Sequence, residues 1–188
     1  MTPYEIPEEI MPLFVFSDQT SGLVEFIIKF RTKGDYNHVM IQCRPRFFAS
    51  QGNTYSEAPV ERYMKRGSRL KYVEVIGLTA VQKALIKASV NKKIALPWWR
   101  KAYDWLGIVG QATGLPWIST PGLDYCSEDA PRHFIHMAKL GFGDDDPRKE
   151  IMLGMGGHKS PQGLNDYMKR FPDVFRVVTK WEADDVKK

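Results

Sequence analysis

At 188 residues the chain has the size of one domain, large enough to bury a sizeable core. A 43% hydrophobic content with 12% aromatics excludes a disordered chain, and two cysteines exclude a disulfide-built scaffold. The formal charge of +5 favours anionic partners, yet the cations are scattered along the chain, so no nucleic acid is required.

Residues 1–12 carry Glu5, Glu8 and Glu9 with three prolines, unlike a signal peptide, and no apolar run approaches the length of a membrane span. The expectation is a soluble product, cytoplasmic as synthesised, with packaging in a virion or release by lysis still open. Contact with an anionic polymer or a membrane surface also stays open.

Residues 13–17, Leu-Phe-Val-Phe-Ser, read as a buried strand. Ser21 can cap a helix through Leu23, Val24, Phe26, Ile27 and Phe30, stopped by Gly34. Residues 37–43 alternate, with Val39, Ile41 and Cys43 on one side and His38, Met40 and Gln42 on the other; Pro45 closes this strand. A polar connection through Ser50 to Asn53 leads to a strand over 54–58, and 70–75 make a third by their β-branched and aromatic content. Thr79-Ala80-Val81-Gln82 is a capping box opening a helix to about Val90, which Pro97-Trp98-Trp99 breaks.

A short helix over 103–109 and a Gly/Pro loop over 110–123 deliver the chain to Asp124-Tyr125-Cys126-Ser127-Glu128. Cys126 opens a helix through Phe134, Ile135, Met137, Ala138 and Leu140, with Gly141 as its stop. A turn at 144–147, a flexible loop at 154–157, a helix from Ser160, a strand over 174–178 and a polar tail from Glu182 complete the order. The mixture is α+β, a single domain over 1–188 with 1–12 and 182–188 as peripheral tails.

The chemistry centres on Cys126. A thiol at a helix N-terminus meets unpaired backbone N–H groups and the positive end of the helix dipole; both favour thiolate, and the N–H groups of Cys126 and Ser127 can hold an oxyanion. Such a nucleophile needs an imidazole as base. Of the four histidines, His133 and His136 share the Cys126 helix and read as surface residues, and His158 lies in the Gly-rich loop. His38, on a strand, is the expected base. If residues 37–43 and 53–58 pair antiparallel with Cys43 opposite Gly52, His38 falls opposite Glu57, a carboxylate suited to orient it. Gly154 to Ser160 only approximates a phosphate-binding loop, since His158 replaces the glycine before Lys159. No cysteine–histidine spacing matches a metal site, so no metal and no cofactor is expected. Trp98, Trp99, Trp105 and Trp117 gather near the loop leading to Cys126, most of them as packing residues.

The ordered set Asn37-His38-Val39-Met40-Ile41, Ser56-Glu57-Ala58, Tyr103-Asp104, Tyr125-Cys126-Ser127-Glu128 and Ser160-Pro161 resembles the circularly permuted, YiiX-like branch of the NlpC-type papain-like thiol hydrolases. The resemblance spans roughly residues 13–178. It implies a permuted papain-like fold with a small antiparallel sheet, and a cysteine hydrolase of the amidase or endopeptidase type. Cys126 would be nucleophile, His38 base and Glu57 the third residue, with Tyr125, Trp105 and Trp117 near the substrate. The substrate would be a peptide, such as a cell-wall stem peptide, or a lipid acyl group; a protein keeping the fold without turnover is the further alternative. Asn37, where serine is common, and Asp129-Ala130-Pro131 depart from the pattern.

Overall fold

The computed structural model describes residues 2–18, 34–51, 54–64, 67–101, 126–158 and 160–183. The helices expected after Ser21 and over 103–109, the loop over 110–123, and Tyr125, Trp105 and Trp117 lie outside the described residues.

Among the described residues six strands form one antiparallel sheet: β1 (Leu13–Asp18), β2 (His38–Arg44), β3 (Phe47–Gln51), β4 (Tyr55–Pro59), β5 (Arg69–Val75) and β6 (Phe175–Glu182), in spatial order β4-β3-β2-β1-β5-β6. Four α-helices accompany them among the described residues: α1 (Ala80–Ile94), α2 (Cys126–Gly141), α3 (Pro147–Gly154) and α4 (Pro161–Lys169). The architecture is α+β, as the element pattern implies.

β1 is central and buried along its whole length, which explains its unbroken apolar run. Its alternate residues feed two cores. Phe14 and Phe16 join Val39, Ile41 and Val73 beneath the helices, where Phe134 of α2 stacks on Phe14 with ring centroids 4.0 Å apart. Leu13 and Val15 join Met40, Phe48, Leu70 and Tyr72 on the opposite face. Ile6 and Met11 are buried in that second core, so residues 2–12, expected as a peripheral tail, are anchored on the sheet. At the other end β6 runs on to Glu182, and the Ala183 N–H donates to the Ser68 carbonyl; the sheet therefore holds the start of the expected tail.

β3 corrects the polar connection expected after Pro45. Arg44 and Phe47 are paired across Pro45-Arg46, and Arg46 supplies the left-handed turn residue with φ 64°. A glycine or asparagine at that position would have announced the hairpin; an arginine does not. The expected turn after Asp144 is followed by α3, capped by Asp146, whose side chain accepts from the Arg148 N–H. Thr79 and Gln82 form both halves of the capping box at the start of α1.

Candidate functional site

Cys126 is the first described residue of α2 and is buried, as is Ser127. It lies in the core beneath the helices with Val39, Ile41 and Cys43. Pro131 stands inside the helix, so it cannot give the backbone N–H that would bond the Ser127 carbonyl. The first turn carries Glu128 and Asp129, as the sequence implies, but Asp129 is buried instead of facing solvent.

His38 opens β2 directly opposite Ser17 and is half-buried, and alternation puts it on the face of Met40, the side of the second core. Its ring lies nearly parallel to that of Tyr63, centroids 6.3 Å apart. Burial lowers its pKa to about 4, with help from the Arg62 charge, so the imidazole is neutral at neutral pH. His38 and Cys126 therefore stand on opposite faces of the sheet.

Glu57 is not opposite His38. β3 intervenes between β2 and β4, and Glu57 pairs with Ala49. Its carboxylate instead takes two hydrogen bonds from Arg44, at 3.2 and 2.5 Å. The expected hairpin fails because residues 47–51 are themselves a strand. The structure thus holds Cys126, His38 and Glu57 in three separate settings.

The two thiols differ in setting. Cys43 is buried and its thiol is pushed up to about 12 by loss of solvent, with Lys87 acting the other way and Glu57 adding to the rise. It is an inert core residue.

A polar cluster that the sequence reading missed lies between α1, α2 and β4. Lys93 pairs with Asp129, and His133 Nε2 stands 3.7 Å from the second Asp129 oxygen. His133 Nδ1 and Ser89 Oγ are 2.8 Å apart, and the Tyr55 ring lies 5.6 Å from the imidazole. His133, expected at the surface, is 3% exposed; His136 is exposed as expected. The four-residue spacing of Asp129 and His133 on one helix face was the available signal. His133 is seven residues from Cys126, about 10 Å along the axis, too far to take its proton directly. His158 packs its ring on Tyr167, centroids 4.5 Å apart.

No known family model and no curated protein matches the chain. No helix among the described residues is long and apolar enough to cross a membrane.

Proposed function

We propose that this chain is a cysteine-dependent hydrolase in which Cys126 attacks an amide carbonyl, with a thioester as intermediate. The observation that carries the reading is the position of Cys126, the first described residue of a 16-residue helix seated on an antiparallel sheet. A thiol there lies at the positive end of the helix dipole, which favours both the thiolate and the oxyanion formed on attack. The ordered residue set that resembles permuted NlpC-type thiol hydrolases supports the same assignment. Chemically, the thiolate adds to the carbonyl carbon, the base proton passes to the leaving amine, and water then cleaves the thioester. A lipid ester is the alternative carbonyl for the same chemistry.

The reading requires an imidazole at the Cys126 sulfur. His38 is its candidate, and as the first residue of β2 it needs a one-residue change of register there to exchange faces with Asn37. Glu57, held by Arg44, would have to release that partner to serve as the third residue.

A second reading is favoured by a specific observation: His38 and Cys126 stand on opposite faces of the sheet, and Cys126 is 2% exposed. On this reading the chain keeps the fold without turnover. A thiol-reactive probe with a peptide or acyl tag separates the two. Labelling of Cys126 that is lost in both Cys126→Ala and His38→Ala supports the hydrolase. Labelling that survives His38→Ala, or no labelling of Cys126, supports the idle fold and rejects the hydrolase.

A further inference from the structure

Trp98 and Trp99 are 66% and 61% exposed, the most exposed aromatic side chains among the described residues. Large indoles are ordinarily buried, and two neighbours left in water mark an interaction surface. They form a short turn that follows α1, and the turn is firmly built. Arg100 N–H donates to the Pro97 carbonyl at 3.0 Å, the Lys101 ammonium to the Ile94 carbonyl at 2.6 Å, and Tyr55 N–H to the Lys101 carbonyl at 2.9 Å. The exposed rings are thus presented on a backbone tied to both α1 and β4.

Charge selects the partner. Between Glu74 and Asp104 the sequence has Lys83, Lys87, Lys92, Lys93, Arg100 and Lys101 and no acidic residue. Lys87 and Lys93 pair with the carboxylates of Glu8 and Asp129, and the ammonium groups of Lys83 and Lys101 donate to the backbone carbonyls of Glu9 and Ile94. Lys92 and Arg100, both exposed, form no ion pair among the described residues and flank the tryptophans in sequence. Exposed indoles with exposed cations close in sequence match the boundary of an anionic bilayer, where the ring sits at headgroup level and each nearby cation adds about 1 kcal/mol. The ring geometry argues against a sugar polymer: the indoles are 6.0 Å apart and 85° to one another, so they offer no common flat platform for stacking.

We propose that Trp98 and Trp99, together with Lys92 and Arg100, dock this domain on the surface of an anionic lipid bilayer. Docking does not depend on the hydrolase reading. Because Lys93 on the last turn of α1 pairs with Asp129 on the first turns of α2, the docked face lies at the end of the domain that holds Cys126.

The test is flotation of the full chain with vesicles, either pure phosphatidylcholine or an equal mixture of phosphatidylcholine and phosphatidylglycerol. The expected result is binding to the mixed vesicles alone, quenching of indole emission by brominated lipid, and weakening by added salt. Trp98→Ser with Trp99→Ser should weaken binding by about tenfold or more. Lys92→Gln and Arg100→Gln should each weaken it roughly fivefold. Cys126→Ala should bind as the parent does, which separates docking from catalysis; a Cys126→Ala protein that no longer binds would overturn the proposal. So would no binding to mixed vesicles, or parental affinity in the double tryptophan variant. Binding to soluble heparin that matches vesicle binding and ignores the tryptophans would replace the bilayer with an anionic polymer. Circular dichroism of each variant guards against loss of fold, and the Lys92 and Arg100 variants carry the test if the tryptophan pair unfolds.

Discussion

Lys93 of α1 and Asp129 of α2 form an ion pair closed off from solvent, with 13% and 1% of their side chains exposed. Burial alone would raise the Asp129 carboxyl, but nearby His133 and the Lys93 charge more than offset it and hold it below the usual carboxylate range. The pair fastens the two helices at the end where α2 begins. Removing one partner leaves a buried charge uncompensated, which is costlier than removing both. Lys93→Met should therefore destabilise the fold by about 3 kcal/mol, and Lys93→Met with Asp129→Leu should recover most of that loss. Urea unfolding midpoints decide it; a Lys93→Met protein as stable as the parent would show that the pair contributes nothing.

Much of the framework was legible because single segments carry it. The short apolar run of β1 fits a strand buried on both sides, and the Thr79–Gln82 box marks the start of α1 through local hydrogen bonds. β3 escaped because its turn residue is Arg46 in a left-handed conformation, a role that sequence patterns assign to glycine or asparagine. The missed strand then displaced Glu57 from the expected partnership with His38. Alternation correctly separated His38, Met40 and Gln42 from Val39, Ile41 and Cys43. It could not say which set faces α2, because β1 is apolar on both sides and residues 2–12 are anchored on one of them. The four-residue spacing of Asp129 and His133 marks one helix face, but that this face is buried depends on where α1 packs, a tertiary fact.

His38 makes stability depend on pH. Its folded pKa of about 4 lies below the ordinary value of 6.5, so between these values the unfolded chain binds more protons than the folded one. The stabilisation is complete above pH 6.5 and is lost as pH falls towards 4. Because the residue is partly accessible, the loss should amount to ~1–2 kcal/mol. His38→Gln should flatten this part of the stability profile in denaturant titrations. An unchanged slope between the two proteins would mean that His38 is not buried as a neutral imidazole.

Gly154 ends α3 against the hydroxyl of Tyr167, which donates to the Ile151 carbonyl at 2.7 Å. A Cβ at this position would overlap that hydroxyl. Gly154→Ala should cost ~1–3 kcal/mol despite the better helix propensity of alanine, since overpacking here must displace a ring wedged against Phe171. Tyr167→Phe in the Gly154→Ala background should restore part of the loss by vacating the hydroxyl position. Thermal unfolding of the four proteins tests this, and additive effects would exclude the proposed clash.

The two thiols give the sharpest separation of settings. Cys43 lies in the core with its thiol pushed up to about 12, so at neutral pH almost none of it is thiolate, the form that reacts. Cys126 is the more deeply buried but is the first described residue of α2, and the positive end of a helix dipole favours thiolate. Iodoacetamide at neutral pH should therefore modify Cys126 at least about tenfold faster than Cys43, with peptide mapping to assign the sites. Lowering the pH should slow Cys126 only as its own thiolate is titrated, whereas urea should bring both cysteines to the rate of a model thiol. Exposure cannot account for the expected order, since Cys43 is the more accessible of the two at 7% against 2%. If Cys43 reacts first in the folded protein, accessibility governs the chemistry and the helix terminus does not activate Cys126.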